Sequence, residues 1–193
     1  MSSSNHIFKI IMGGDGGVGK TTMLHKYVKG IFIESLQMTI GLDFFLKKMS
    51  IDSKNFTLQI WDFSGQERFR FLHESYVNGA DVGVLLFDLT RMFSLKNIPY
   101  WTNVLRSMDN NLPLILVGTK YDLITEKNYA EVDEAQVFEI AEMCNIRKEY
   151  YLRTSAKTGF NINKVFNLVV ELATDHINKK NLIFSSIPSS TKS

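Results

Sequence analysis

The sequence predicts an α/β protein with a mostly parallel sheet and helices on both of its faces. Two patterns point to this class. Residues 7–12, 82–87 and 112–117 are short, almost continuously apolar runs of the kind that form buried strands. Between them lie segments whose apolar residues recur at helical spacing, and that alternation implies parallel strands joined by helices. A third observation places the ligand. Gly14-Asp15-Gly16-Gly17-Val18-Gly19-Lys20-Thr21 fits the pattern G-x-x-x-x-G-K-[ST] and sits between the first run and the first helical segment. In open α/β sheets ligands lie beyond the carboxyl ends of the strands, where this loop falls.

The chain-wide numbers set bounds. A chain of 193 residues is expected to form one domain, and a composition of 45% hydrophobic residues can supply its core. A net charge of +2 argues neither for nor against nucleic acid. Cys144 is the sole cysteine, which excludes an internal disulfide and points to a reducing compartment. Residues 1–5 lack the apolar core of a signal peptide, and no apolar run is long enough to span a bilayer.

Taken in order, 7–12 is a strand and 20–29 a helix ended by Gly30. Residues 31–41 show neither helical nor alternating periodicity and are expected to be a loop. Residues 42–51 and 56–63 are strand-like around a turn at 52–55, which predicts an antiparallel hairpin. Residues 64–78 are polar and mixed, a loop running into an irregular helix. After the strand at 82–87, Ile98, Trp101, Leu105 and Met108 mark a helix; Pro99 is tolerable only in its first turn, so it starts near Asn97. A strand at 112–117 follows. Asp133 and Gln136 resemble a capping box opening a helix to about Cys144. Residues 150–152 make a short strand. Asn161 is the expected cap of a last helix with Ile162, Val165, Phe166, Val169, Leu172, Ala173 and His176 on one face. Residues 179–193 turn polar and serine-rich and are expected to be a mobile tail.

The loops after the strands carry the chemistry. In the glycine-rich loop, Asp15, Gly16, Gly17, Val18, Gly19, Lys20, Thr21 and Thr22 are the candidate phosphate contacts. Backbone N–H groups turned inward make an anion nest, the helix start adds its positive end, and Lys20 adds a point charge. Thr21 can offer its hydroxyl to magnesium. After the hairpin, Asp62 can hold that ion through water, Gly65 can bring its N–H to a terminal phosphate, and Gln66 can orient an attacking water. A D-x-x-G sequence alone is a common turn; its place after the hairpin gives it weight. Asp122, after Thr119-Lys120-Tyr121, can accept two hydrogen bonds from a guanine's ring N–H and amino group, a donor pair adenine lacks. Ser155 and Ala156 can offer N–H groups to the guanine carbonyl, and Lys157 can lay its stem across the base. Thr39, within 31–41, can complete the magnesium shell and meet the γ-phosphate.

Those motifs, in that order, resemble the Ras superfamily of small GTPases and its Rab branch most. Residues 39–44, 61–70 and 154–157 carry the Rab likeness, which spans about residues 6–178. The resemblance implies a phosphate-loop NTPase fold: six strands, one of them antiparallel, and five helices in three layers. It implies binding of GTP and GDP with magnesium and slow GTP hydrolysis, with Gln66, Lys20, Thr39 and Gly65 at the reacting end. It makes 31–41 switch I and 63–77 switch II, where effectors, an exchange factor and a GTPase-activating protein would dock on a monomer, with no nucleic acid involved. Phe32 matches the aromatic that packs edge-on against the guanine. Phe44, Trp61 and Tyr76 match the Rab aromatic triad, although plain packing explains those three nearly as well.

Three departures stand out. Thr119 replaces the usual asparagine, which is expected to loosen a tie to the phosphate loop. Ser64 replaces the common alanine, a mild change. No cysteine lies near the last residues, so no lipid anchor is visible and a cytoplasmic protein with at most weak membrane contact is expected. His6, His25, His73 and His176 share no metal-ligand spacing with Cys144 or each other. Two other readings compete, a module that holds nucleotide without turnover and a phosphate-loop kinase or ATPase. Intact Gln66, Thr39, Thr21 and Lys20 oppose the first; Asp122 and Ser155-Ala156-Lys157 oppose the second.

Overall fold

The structure, a computed structural model, describes residues 5–69, 75–125 and 132–185. Six strands form one sheet: β1 (Asn5–Gly13), β2 (Leu42–Ile51), β3 (Lys54–Phe63), β4 (Val82–Asp88), β5 (Leu114–Thr119) and β6 (Tyr151–Arg153). Their order is β2-β3-β1-β4-β5-β6, with β2 antiparallel to β3 and every other pairing parallel. The helices include α1 (Lys20–Lys29), α2 (Met92–Lys96), α3 (Ile98–Leu105), α4 (Glu134–Met143) and α5 (Ile162–Ser185), and residues 75–77 are helical too. This is the three-layer phosphate-loop NTPase fold that the sequence predicts.

Strand residues alternate between two cores, as the pleat requires. Ile10 and Met12 pack with Met23 and Leu24 of α1 and with Val165, Phe166 and Val169 of α5. Ile11 of the same strand joins Trp101 and Leu105 of α3 and Val137 and Ala141 of α4 on the opposite face. Every residue of β4 is buried, as expected of a strand covered on both sides. The chain runs from β1 to β3 on one flank and then to β4 on the other. The loops after β1, β3, β4, β5 and β6 therefore converge at one end of the sheet, the place where such folds bind ligands.

Local chemistry explains the element ends. Helix α1 begins after Gly19 and stops at Gly30, both left-handed (φ 100° and 74°), and the Gly30 N–H donates to the Lys26 carbonyl. The β2–β3 turn is tighter than expected: Asp52 and Ser53 alone make it, at φ 49° and 64°, as in a two-residue hairpin turn of the primed kind. The capping box is present, with Gln136 N–H donating to Asp133 and Asp133 N–H to Gln136.

Several boundaries differ. The helix expected from near Asn97 begins there, as α3 with Pro99 in its first turn, but it ends at Leu105 rather than reaching Met108, and a separate short helix, α2, precedes it. Strand β5 starts at Leu114, after Pro113, which has no N–H to give the ladder. Strand β6 starts one residue later than expected. Asn161 adopts φ 57° and its amide donates to the Arg153 carbonyl, so its side chain is directed away from the expected cap. Helix α5 runs to Ser185, so 179–185 are helical rather than part of a tail. Lys180 pairs with Asp109 at 2.8 Å and His176 meets the same carboxylate at 3.1 Å, ties that hold the helix onto the domain. Residues 186–193 lie outside the described residues. None of the described helices is long and apolar enough to cross a membrane.

Gly83 in β4 shows how tightly the sheet packs against α3. A Cβ there would lie 2.5 Å from a Leu114 methyl and 2.6 Å from a Leu105 methyl. Gly83→Val is expected to destabilise the fold by about 1–3 kcal/mol through overpacking, read as a lower midpoint in urea unfolding.

Candidate functional site

The glycine-rich loop closes over the end of β1. Gly14 sits at φ 138°, and a Cβ there would fall 2.3 Å from the Leu86 carbonyl oxygen, so a side chain is excluded. The Lys20 ammonium is buried and donates to the carbonyls of Gly14 (2.6 Å) and Asp15 (2.9 Å). Burial pulls its pKa down to about 8, against the attraction of Asp62 and Asp15. Gly16, Gly17, Gly19, Lys20, Thr21 and Thr22 line a cavity of about 90 Å³ that Thr39, Ser64, Gly65 and Gln66 close from the other side.

The side chain of Asp15, whose backbone is an expected phosphate contact, has partners of its own. The Asp15 carboxylate accepts from Asn97 Nδ2 at 2.7 Å and from Trp101 Nε1 at 2.9 Å. Its side chain anchors the loop to α3, which leaves its backbone for the ligand. Arg91, in the turn after β4, also grips the loop: its Nη2 donates to the Gly16 carbonyl at 3.1 Å and its Nε to Asp88 at 3.0 Å. Asp88 is fully buried and also receives Lys120 Nζ at 2.6 Å and both the N–H and hydroxyl of Thr90. Burial would raise its pKa, but the hydrogen bonds from Lys120 and Thr90 outweigh that and hold it below the usual carboxylate range.

Thr119 does not loosen the loop as expected. Its buried hydroxyl lies 2.6 Å from the Val18 carbonyl and 2.9 Å from the Phe87 carbonyl. One proton serves the nearer oxygen, so the threonine itself ties the end of β5 to the phosphate loop.

Thr21, Thr39 and Asp62 come together. The Thr21 hydroxyl donates to Asp62 Oδ2 and lies 2.8 Å from the Thr39 hydroxyl. Asp62 is fully buried, and its Oδ1 has no protein hydrogen-bond partner. Burial raises its pKa to about 6, against Lys20 and the Thr21 hydroxyl. Two hydroxyls and an orphaned buried carboxylate oxygen are a donor set that fits a hard cation with bound waters.

Residues 64–66 meet this group through their backbone. A Cβ on Gly65 would lie 2.2 Å from the Gly16 nitrogen, so the two loops touch main chain to main chain. Gln66 Nε2 donates to the Thr39 carbonyl at 3.2 Å, and its Oε1 accepts from Arg68 Nε at 2.9 Å. Residues 70–74 of the expected switch II, with Arg70 and His73, lie outside the described residues.

A second cavity, about 370 Å³, opens beside the first and shares Gly17, Gly19, Thr22 and Leu36 with it. Thr119, Lys120, Asp122, Ala156, Lys157 and Phe32 line it. Buried Ser155 donates its hydroxyl to Asp122 Oδ1 at 2.6 Å, which fixes the carboxylate's direction. A larger cavity, about 440 Å³, lies at the opposite pole under α5. Two of its cationic side chains are already engaged, Arg106 with three backbone carbonyls and Lys180 with Asp109, so size is a poor guide here.

The triad residues also meet. Phe44 and Trp61 pack edge to face at 5.0 Å between ring centres, and Trp61 and Tyr76 lie 5.4 Å apart. Four other residues matter that sequence reading did not place: Arg91, Asn97, Trp101 and Ser64. Helical periodicity assigns Trp101 to a core stripe, and nothing in its spacing marks its N–H as a partner of Asp15. That Asn97 stands four residues before it, on the same helix face, was the available signal.

A phosphate-binding loop at the sheet's carboxyl end, a hydroxyl–carboxylate cluster and two segments closing over it define a nucleotide-binding switch domain. Comparison with known proteins makes this specific. The Ras family profile matches residues 9–175, and the chain belongs to the Ras family, where it is a Rab-like small GTPase and a GTP hydrolase. It is similar to Ras-related protein Rab-19 of Rattus norvegicus, 36% identical over 172 residues, covering 86% of this chain and 75% of that one. Ypt/Rab-type GTPase ypt7 of Schizosaccharomyces pombe is 34% identical over 183 residues, 92% of this chain and 87% of the relative. Ras-related protein Rab-11C of Dictyostelium discoideum is 37% identical over 164 residues, 84% and 70%.

The Asp15 anchor is open to test. Asp15→Ala removes the acceptor of both the Asn97 amide and the buried Trp101 N–H. The expected loss is about 1–3 kcal/mol in urea unfolding of the nucleotide-free protein, with the preference for guanine over adenine unchanged.

Proposed function

We propose that this chain holds GTP or GDP with magnesium and hydrolyses GTP slowly, switching between two arrangements of residues 31–41 and 63–77. One observation carries the base assignment. Asp122, aimed by Ser155, stands at the wall of a cavity that opens directly onto the phosphate loop. There the carboxylate accepts from the guanine ring N–H and amino group, the Ser155 and Ala156 backbone meets the carbonyl, and Lys157 and Phe32 flank the ring. Lys120 reaches past the base to buried Asp88, which keeps its stem against the ring face.

At the other end, Lys20 and the N–H groups of 15–22 take the β- and γ-phosphates. Thr21 and Thr39 would hold magnesium directly and Asp62 through water; the ion supplies charge neutralisation on the phosphates. Gln66 orients the attacking water, and Gly65 brings its N–H to the γ-phosphate. When the γ-phosphate leaves, Thr39 loses partners and 31–41 loosens, the order–disorder change that switches use. A single copy carries every residue of this site. The aromatic surface of Phe44, Trp61 and Tyr76 beside the switches suits an effector, consistent with a Rab-like role in trafficking or signalling. Buried Cys144 suits a reducing cytoplasm.

Competition binding tests the base. GTP should displace bound guanine nucleotide on the order of 10⁴-fold better than ATP, since a site built for those donors is left unpaired by adenine. Asp122→Asn should shift preference toward xanthine nucleotides, which present a carbonyl where guanine has its amino group. Comparable ATP and GTP affinities would overturn the assignment. For turnover, no arginine occurs in 30–41 to act in cis. The unassisted single-turnover rate should be on the order of 10⁻⁴ to 10⁻² s⁻¹, and Gln66→Leu should lower it with nucleotide affinity kept.

A further inference from the structure

We infer that Ser64 is a positioning residue for hydrolysis: its hydroxyl braces switch I against switch II by holding the Thr39 peptide and the Gln66 peptide together. This rests on the reading that Thr39 and Gln66 serve the γ-phosphate end. Ser64 follows β3 and is 1% exposed. Its N–H donates to the Gly41 carbonyl at 2.9 Å, continuing the β2–β3 pairing by one rung into switch I. Its hydroxyl donates to the Thr39 carbonyl at 2.8 Å and accepts the Gln66 N–H at 3.3 Å. One buried oxygen thus touches both segments.

The brace acts at the residues that matter. The Thr39 carbonyl that Ser64 holds also accepts Gln66 Nε2, so peptide and side chain are set in one register. Fixing that peptide fixes the aim of the Thr39 hydroxyl, which lies 2.8 Å from the Thr21 hydroxyl. On its far side the 64–66 backbone is pinned by Gly65 against Asp15 and Gly16, where no Cβ fits. The segment therefore has one fixed wall, the phosphate loop, and the Ser64 hydroxyl carries that fixity across to switch I. Alanine, common at this place in the motif this chain resembles, has no group to do this.

Hydrogen exchange and single-turnover hydrolysis of Ser64→Ala decide the matter. With a non-hydrolysable GTP analogue, amides of 36–41 should exchange about five-fold faster than in the unaltered protein, the effect of one typical hydrogen bond. GTP hydrolysis should slow by a similar factor, and GDP affinity should stay the same because the brace serves the γ-phosphate end. Ser64→Thr keeps a donor and should retain slow exchange. In a Gln66→Leu background Ser64→Ala should still speed the exchange of 36–41, since the Thr39 contact does not pass through the glutamine side chain. Unchanged exchange in Ser64→Ala, equal exchange of the Ser64→Thr and Ser64→Ala variants, or faster hydrolysis in Ser64→Ala would each overturn the brace. If Gln66→Leu hydrolyses normally, the reading of Gln66 fails instead, and the exchange result still judges Ser64.

Discussion

Everything at this site depends on which way the peptides of the phosphate loop face. A nest for anions needs successive N–H groups turned inward, and that requires the paired carbonyls to be satisfied on the outside. Three side chains do this. Lys20 takes the Gly14 and Asp15 carbonyls, Arg91 takes Gly16, and Thr119 takes Val18. Asn97 and Trp101 hold the loop from the side through the Asp15 carboxylate. Apart from Lys20, these donors come from β5, α3 and the turns beside α2, so the nest is shaped by the whole carboxyl end of the sheet. When phosphate enters, Lys20 can turn to it while Arg91 and Thr119 keep the loop's form.

The same site is electrostatically unfinished without its ligands. Burial lowers Lys20 to about 8 and raises Asp62 to about 6, so both charges are held at a disadvantage. For Asp62 the sign is definite. Between the ordinary carboxylate value near 4 and about 6 the folded state keeps a proton that the unfolded state has released. Rising pH through that window therefore removes stability from the empty protein. On the proposed reading, a cation near Asp62 and phosphates near Lys20 would reverse both penalties, and binding to the folded state would add stability by mass action.

Much of this was legible in the residues because it is local. The phosphate loop, the Lys20–Lys29 helix with its glycine stop and the Asp133–Gln136 capping box each rest on chemistry within a few positions. Asp122 with Ser155 was legible too, because both stand just beyond strand ends that converge in this fold. What stayed hidden joins distant segments. Asp15 meets residues 82 and 86 positions away, and the direction of the Thr119 hydroxyl depends on where β5 lies against the loop. The end of α5 escaped for a related reason: 179–185 look polar and aperiodic alone, but Asp109 from another loop receives Lys180.

Two of the departures from the family pattern, Thr119 and Ser64, share a physical logic. Each puts a hydroxyl within hydrogen-bond reach of a backbone carbonyl at the candidate site, Val18 for one and Thr39 for the other. Their consequences differ because the carbonyls belong to segments of different firmness. Val18 is buried, and its loop is gripped from several sides, so one bond more or less changes little there. The 31–41 loop is otherwise weakly held: Met38 and Ile40 are 64% and 74% exposed. Among the described residues its hydrogen bonds to the domain run through Thr39 and Gly41. Segments with few buried contacts open at small free energies. In such a segment a bond of roughly 1 kcal/mol shifts the closed population several-fold, so a hydroxyl at position 64 acts where the switch is most easily tipped.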